Sequence, residues 1–177
     1  MRRLLPCLCL VLFCGSSVLA QNRDYPKWDF TAGYTLNHFE PPPPQNRFVM
    51  QGFTGAIGWN FRRWAALEGD VTYTTKTLNG TRRSLLSFIA GPRFTKRFTN
   101  SRAQPFVHAL YGGGHLSGYS GGTNGWVGKM GGGVDFVVSD HVAIRAFQFD
   151  YYRYHGNVPV GTQRLNNMAV TFGVRLF

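Results

Sequence analysis

Bulky apolar side chains alternate with small or polar ones along eight separate runs of the chain. In the first run, Trp28–Leu36, the even-numbered residues other than Ala32 are bulky and apolar, and the odd-numbered ones are small or polar. Successive side chains of a β-strand point to opposite faces, so this period of two predicts strands with one apolar face. The other seven runs are Gly52–Phe61, Ala65–Tyr73, Leu86–Phe94, Val107–Gly114, Lys129–Val138, Val142–Tyr154 and Asn167–Leu176. No stretch after residue 20 has the helical period of 3.6 residues, so the sequence predicts an all-β fold.

Turn-forming residues separate these runs. Gly, Pro, Asn, Asp and Ser favour tight turns for known conformational reasons, and they cluster at seven places between the runs. The places are Pro41–Pro44, Asn60–Arg63, Leu78–Gly80, Asn100–Gln104, Ser117–Gly125, Ser139–Asp140 and His155–Gln163. Eight strands joined by seven connections predict an antiparallel, up-and-down arrangement.

The small side chains occupy the polar face of each run. Gly, Ala, Thr and Asn dominate that face with single charges between them, whereas Phe, Tyr, Trp, Val and Leu dominate the other. A soluble sandwich would instead point its apolar face inward and carry many charged residues outside. A narrow eight-stranded barrel in lipid needs small polar side chains inside and an apolar surface with aromatic girdles outside. Because unpaired backbone groups are costly in lipid, the sheet is predicted to close into a transmembrane β-barrel.

The first twenty residues have the pattern of an export leader. Arg2 and Arg3 precede an apolar stretch, and the segment ends in small residues up to Ala20. This pattern indicates a cleaved signal peptide over residues 1–20, followed by a barrel domain over residues 21–177. All three cysteines lie in the leader, so the exported chain is expected to have neither a disulfide nor a thiolate metal site.

The chain is strongly basic, with a formal net charge of +11. Such an excess is compatible with nucleic acid or with anionic lipid headgroups. An exported protein meets lipid-A phosphates rather than genomic DNA, so nucleic-acid binding is disfavoured. The cations near the turns could contact lipid-A phosphates or could remain solvated; they are Arg47, Lys76, Arg82, Arg83, Arg153 and Arg164.

Residues that could support catalysis or metal binding form no recognisable motif. The glycine runs Gly112–Gly114 and Gly131–Gly133 do not open a helix, so they do not indicate a phosphate cradle. The five histidines are not spaced as a close pair with a third ligand nearby. A lipid-A-modifying enzyme would need a hydroxyl, a base and an acid at the outer rim, and the candidates are His155, Ser117, Ser120 and Asp150. No motif ties these residues together, so we expect no catalysis, no cofactor and no metal site.

Charged residues on the small face predict a polar network inside the barrel. They are Asp29, Glu68, Asp70, Arg93, Lys129, Asp135, Asp150 and Arg175. An unpaired charge in a narrow lumen is costly, so these residues should pair. Strand direction places Asp29 and Arg175 at one end of the barrel, on the strands that close it, and Glu68 should meet Arg93 between the third and fourth strands. Separate pairings with other lumen groups remain an alternative, because shear can shift the register by several residues.

Two further residues of the predicted strands affect this interior. His108 is expected to be a hydrogen-bonded interior residue. In a regular strand over the seventh run, Arg145 would point to the face opposite to the one shared by Gln148 and Asp150. Either a β-bulge intervenes between them, or Arg145 extends to the periplasmic border of the membrane.

Several strand sequences resemble recurring sequences of a known family. They are Pro26-Lys27, Gly33-Tyr34, Gly91–Phe94, Pro105–Gly113, Gly131–Asp135, Asp140–Arg145 and Gln148–Tyr151. Together they resemble the outer-membrane β-barrel domain family related to the OmpA transmembrane domain, over residues 25–177. The resemblance implies an eight-stranded, monomeric, structural barrel in the outer membrane with no assigned reaction.

Phe177 resembles the final residue read by the outer-membrane assembly machinery, although Arg175 stands where that signal has an apolar residue. An aromatic girdle residue would also explain Phe177.

The expected partners are outer-membrane lipids including lipid-A phosphates, the barrel assembly machinery and periplasmic chaperones. The expected function is that of a structural outer-membrane β-barrel protein with a filled lumen, and a conducting porin is disfavoured. The alternatives are a loop-borne adhesion or ligand-binding barrel and a lipid-A-modifying enzyme.

Overall fold

A computed structural model describes residues 25–40, 47–78, 80–118, 122–158 and 161–177, without the side chains of residues 157, 158 and 161–164. Several of the sequence expectations lie outside this part of the chain. They concern the signal peptide at residues 1–20, the proline block Pro41–Pro44, Ser120 and the side chain of Arg164. Among the described residues, no helix is long and apolar enough to cross a membrane.

The chain forms eight antiparallel strands that close into a barrel. The strands are β1 Trp28–Phe39, β2 Phe48–Asn60, β3 Ala65–Leu78, β4 Thr81–Thr95, β5 Ala103–Ser117, β6 Thr123–Ser139, β7 Val142–Val158 and β8 Gly161–Leu176. Each strand pairs with the next in sequence, and β8 returns to pair with β1 through register partners such as Thr35 and Thr171. The predicted fold class, an eight-stranded up-and-down barrel, is confirmed.

The strands extend further than the alternating pattern predicted. His155–Val158 and Gly161–Gln163 belong to β7 and β8, so the predicted long turn between them shrinks to residues 159 and 160. The backbone ladder continues there although the side chains no longer alternate in polarity. Between β3 and β4 the predicted turn is present, and Gly80 has a φ of 76°, a conformation that glycine adopts without steric cost.

The apolar face of each strand points outward, as the sequence predicted. Phe53, Tyr111 and Val107 are 70%, 62% and 58% exposed. Their neighbours Thr54 and His108, with the opposite parity, are buried. This arrangement is the reverse of a soluble sandwich and leaves a continuous apolar outer surface.

The interior divides into two halves of different chemistry. We call the end of the barrel that holds Trp28 of β1 and Leu176 of β8 the terminal end, and the other the opposite end. The terminal half of the lumen contains the buried charges, whereas the opposite half contains apolar side chains, which we call the apolar cluster. Its members are Phe39, Met50, Leu85, Ile89, Leu110, Leu116, Val127, Tyr152, Tyr154, Leu165 and Ala169. The expectation of a small and polar interior along the whole barrel was therefore wrong for the opposite half.

A β-bulge in β7 brings Arg145 into the lumen. Two β7 residues, Ala146 and Phe147, lie opposite the single β8 residue Phe172. The extra residue reverses the parity, so Arg145 and Gln148 both face inward and both are buried. Of the two alternatives left by the sequence, the bulge is the correct one.

Candidate functional site

Nine buried side chains form a closed ring of hydrogen bonds in the terminal half of the lumen. We call this set the lumen ring. Its members, in order around the ring, are Asp29, Arg93, Glu68, His108, Asp150, Gln148, Arg145, Asp135 and Arg175. Six of the nine belong to the polar network predicted from the sequence.

Two arginines, Arg93 and Arg175, link three acidic side chains of the ring. Arg93 donates from Nη1 to Glu68 Oε2 at 2.8 Å and from Nη2 to Asp29 Oδ2 at 2.6 Å. Arg175 donates from Nη2 to the same Asp29 oxygen at 2.8 Å and from Nη1 to Asp135 Oδ2 at 3.1 Å. The two ion pairs expected from strand direction, Asp29 with Arg175 and Glu68 with Arg93, are thus present.

Three contacts along β6 and β7 continue the ring. Arg145 holds both carboxylate oxygens of Asp135, with Nε at 2.8 Å from Oδ1 and Nη2 at 3.1 Å from Oδ2. Arg145 Nη1 donates to Gln148 Oε1 at 2.6 Å, and Gln148 Nε2 donates to Asp150 Oδ2 at 2.6 Å. The bulge before Gln148 makes this possible, because a regular strand would point Arg145 toward the apolar outer surface.

His108 closes the ring between two carboxylates. Its Nδ1 lies 2.7 Å from Glu68 Oε1, and its Nε2 lies 2.8 Å from Asp150 Oδ1. An ionised carboxylate only accepts hydrogen bonds, and a neutral imidazole has only one N–H group. Both contacts are satisfied together when both ring nitrogens carry a proton, so the geometry requires the imidazolium form of His108.

With His108 charged, the lumen ring is electrically neutral. Its four acids are Asp29, Glu68, Asp135 and Asp150, and its four cations are Arg93, His108, Arg145 and Arg175. Acids and cations alternate around the ring, and the neutral Gln148 bridges one acid and one cation. A buried charge is tolerated when opposite charges and hydrogen bonds surround it, and alternation provides this for every member.

Further polar side chains extend the ring and attach β2, the one strand that has no ring member. Lys129 Nζ donates to Asp70 Oδ2 at 2.9 Å and lies 3.5 Å from Asp150 Oδ2. Asn60 at the end of β2 donates to Asp29 Oδ2 at 2.6 Å. Lys129 and Asp70 complete the set of eight predicted network residues. With Asn60 included, every strand of the barrel contributes a side chain to one connected network.

A row of threonines lies between the charged half and the apolar half. Thr171, Thr35, Thr54 and Thr72 follow one another with oxygen–oxygen distances of 2.8, 2.7 and 2.9 Å. Thr72 donates to Asp70 Oδ1 at 2.9 Å. Each hydroxyl has one proton, so this last bond fixes the direction of the whole row, with Thr171 donating first.

For some of these residues the sequence predicted an inward position but not the contacts they make. The inward parity of His108 within the fifth run identified it as an interior residue but not as a ring member. Arg145 was ambiguous because the bulge hides its parity, and Gln148 carried no signal beyond its inward position. The threonine row could have been found from inward parity on four strands, but not its connectivity, which depends on register.

Of the candidate catalytic residues, Ser120 lies outside the described residues, and Asp150 and His155 do not come together. Asp150 is buried in the lumen ring, whereas His155 is exposed on the outer face of the same strand. Side chains alternate between the two faces of a strand, and an odd number of positions separates these two residues, so they point to opposite sides of the barrel wall. Among the described residues, no group of three His, Cys, Asp or Glu side chains is arranged to hold a metal ion.

Two belts border the apolar outer surface. At the terminal end, Trp28 and Trp59 lie 6.3 Å apart between ring centroids, and Trp64 stacks on Phe94 at 5.8 Å. Beyond the middle of the strands, toward the opposite end, outward side chains end in polar groups that bond to one another. The pairs are Tyr34 with Gln51, Arg82 with Tyr73, and Tyr151 with Asn166. Amphipathic side chains at both borders of an apolar band are typical of membrane–water interfaces.

The chain end lies next to the lumen ring. The backbone N–H of Phe177 donates to the His141 carbonyl at 3.0 Å. The guanidinium carbon of Arg175 lies 5.1 Å from the centre of the Phe177 ring. These contacts place Phe177 at the terminal end, and its role in assembly stays a prediction.

Comparison with solved structures identifies the fold. Neisserial surface protein A (NspA) matches with a TM-score of 0.65 at 14% sequence identity, over 85% of this chain and 97% of that one. This chain has the fold of a small outer-membrane β-barrel. The structural similarity agrees with the resemblance found in the sequence.

Two other barrels match with lower scores. Ail, the attachment invasion locus protein of Yersinia pestis, has a TM-score of 0.49 at 14% identity, over 84% of this chain and 97% of that one. The N-terminal β-barrel domain of Pseudomonas aeruginosa OprF has a TM-score of 0.47 at 11% identity, over 82% and 96%. No protein-family model matches the sequence, and no curated protein matches it at a significant level.

Proposed function

We propose that this chain is a structural protein of the outer membrane, a monomeric barrel with a filled lumen and no catalytic activity. The observation that carries the proposal is the inverted barrel, with an apolar outer surface and buried charges inside. Inside the barrel, a neutral hydrogen-bonded network joins all eight strands. In this arrangement the terminal end faces the periplasm, because an exported chain begins and finishes its insertion from that side.

The filled interior supports a structural role over transport. The lumen ring occupies the terminal half and the apolar cluster occupies the opposite half. An eight-stranded barrel is just wide enough for its side chains to fill it. The adhesion alternative needs loop surface at the opposite end, and the four connections there are short: residues 40–47, 79–80, 118–122 and 159–160.

The proposed partners are those of an outer-membrane barrel. A cleaved leader, periplasmic chaperones and the assembly machinery, which would read Phe177, deliver the chain to its membrane. The surrounding lipids then contact the apolar surface, and lipid-A phosphates contact cations at the opposite end. Arg82 and Arg153 are exposed there on the outer face, whereas Arg47 is paired with Glu40.

Heat modifiability tests the proposal directly. A closed barrel keeps its compact shape in detergent until it is heated, so refolded protein should migrate differently in boiled and unboiled gel samples. Fractionation of cells that express the full chain should recover the same heat-modifiable form in the outer membrane. Identical migration, or recovery in the soluble periplasmic fraction, would contradict a membrane barrel.

A separate variant tests the assembly signal. Phe177→Ser should reduce the amount of protein in the outer membrane while leaving refolding in detergent unchanged. Phe172→Ser, which removes another exposed aromatic from the last part of the chain, within β8, serves as the control. Equal losses for the two variants would assign Phe177 to the aromatic girdle alone.

A further inference from the structure

Six cations gather at the terminal end of the barrel. We call them the terminal basic patch, and they are Lys27, Arg62, Arg63, Lys96, Arg97 and Arg102. Lys27 precedes β1, two arginines lie in the β2–β3 turn, and the other three lie in the β4–β5 connection. These segments adjoin one another, so the patch covers the rim from β1 to β5. All six are exposed except Arg97, which is half-buried.

Few carboxylates oppose this patch. Among the described residues, the only exposed acidic side chains are Glu40 and Asp140, since the others are buried in the lumen. Glu40 follows β1 at the opposite end and pairs with Arg47. Asp140 lies in the neighbouring β6–β7 turn at the same end, so one exposed acid stands against the six cations of the patch. The described acids therefore leave the patch with a net positive potential.

Three contacts hold Arg97 in place at the centre of the patch. Arg97 Nη2 donates to Asn60 Oδ1 at 3.0 Å, Arg97 Nη1 donates to the Arg63 carbonyl, and its guanidinium lies 5.9 Å from the Tyr25 ring. Burial and the like charges of Arg175 and Arg93 lower the pKa of Arg97 to about 10. An anion bound at this rim would relieve the repulsion among these guanidinium groups.

The aromatic belt lies beside the same rim. Trp28, Trp59 and Trp64 all lie at the terminal end of β1–β3, and Lys96 Nζ lies 5.0 Å from the Phe98 ring. Tryptophan is enriched at the headgroup level of a bilayer, so the belt fixes the depth of the cations beside it. The patch is therefore held at the level of lipid phosphates rather than out in the periplasm.

We propose that the terminal basic patch binds the phosphates of anionic phospholipids in the periplasmic leaflet of the outer membrane. The inference rests on the proposed function, since it requires an inserted barrel with its terminal end at that leaflet. Four of the six cations are arginines, whose planar guanidinium groups bond phosphate oxygens in pairs. A lipid surface fits better than a soluble polyanion, because the cations and the membrane belt share one rim.

Tryptophan quenching by lipid tests the proposal. A Trp126→Phe protein keeps only the three tryptophans at the terminal end. It is inserted into phosphatidylcholine vesicles containing either brominated phosphatidylglycerol or brominated phosphatidylcholine, and the quenching gives the relative affinity of the two lipids. One cation near a lipid surface favours an anionic lipid by about fivefold, so a preference of at least that size is expected, and high salt should reduce it.

Two fourfold variants test which cations cause the preference for the anionic lipid. Arg62→Gln, Arg63→Gln, Lys96→Gln and Arg102→Gln together should bring the ratio of affinities close to one. The matched control removes four cations of the opposite end, Lys76→Gln, Arg82→Gln, Arg83→Gln and Arg153→Gln, and should keep the ratio of the parent protein. Equal quenching by both lipids in the parent protein, or a preference that survives in the patch variant, would overturn the proposal. Quenching by neither lipid would instead show that no barrel had inserted, which contradicts the proposed function.

Discussion

The two halves of the lumen fill the same width of barrel in different ways. The lumen ring fills the terminal half with directional hydrogen bonds between alternating charges, whereas the apolar cluster fills the opposite half mainly by packing. Loss of one ring member deprives each of its two buried neighbours of one of its partners, and this penalty is large. Loss of apolar volume is graded, because neighbouring side chains can relax and volume-conserving exchanges are tolerated. The terminal half should therefore be intolerant of chemical change, and the opposite half intolerant of changes in volume.

The largest effect is expected from overfilling the opposite half. An added Cβ at Gly112 would lie 2.2 Å from the Phe88 carbonyl oxygen and 2.9 Å from Ile89 Cα. Gly112→Phe should therefore prevent closure of the barrel, and no heat-modifiable form should appear in detergent gels. Tyr111→Phe changes the adjacent, outward residue and should alter the free energy of unfolding by less than about 0.5 kcal/mol. Folding of both variants would mean that the assigned faces are reversed.

Removal of one ring cation should have the next largest effect. Arg93→Leu leaves Asp29 and Glu68 buried without their shared guanidinium, so we expect a loss of about 3–5 kcal/mol in the free energy of unfolding. Urea unfolding in lipid vesicles, followed by tryptophan fluorescence, measures this loss. Arg82→Leu removes an exposed cation from the same strand and should cost less than about 1 kcal/mol. Similar losses at the two sites would show that the ring adds little to stability.

Truncation in the apolar cluster should cost somewhat less and should depend on volume. Leu116 is 1% exposed, so Leu116→Ala should lower the free energy of unfolding by about 2–4 kcal/mol through the cavity it leaves. Leu116→Met keeps most of the volume and should cost less than about 1.5 kcal/mol. If the two variants lost the same stability, packing would not be the basis of this half.

The smallest effect concerns the coupling within one ring pair. A double-mutant cycle with Asp29→Asn and Arg175→Gln should give a coupling free energy of about 1–3 kcal/mol, measured by the same urea unfolding. Exchange of the two charges would recover stability if they formed an isolated pair, as the sequence alone suggested. In the structure Asp29 also contacts Arg93, and Arg175 also contacts Asp135. Asp29→Arg with Arg175→Asp should therefore be less stable than either single change, and recovery would show that the ring behaves as separate pairs.

The alternating pattern was sufficient to predict the strands and their faces. Side-chain direction along a strand is a local property, so runs such as Trp28–Leu36 identified which residues point inward. That information was enough for the eight members of the predicted network and for the pairs Asp29 with Arg175 and Glu68 with Arg93. It was not enough at Arg145, where one extra residue reverses the parity, nor at the strand ends, where polar residues outside the apolar band remove the alternation.

The order of residues was enough to establish an all-β protein with an apolar outer face and charges on its inner face, because the polarity of a residue and the face it occupies are local properties. The joining of those charges into one neutral ring through His108 and Gln148, and the largely apolar filling of the opposite half, became clear from the folded barrel. Contacts across a lumen depend on how far each strand is shifted against the next. Closure of the whole barrel fixes that stagger for all eight strands at once, and no single segment of sequence contains it.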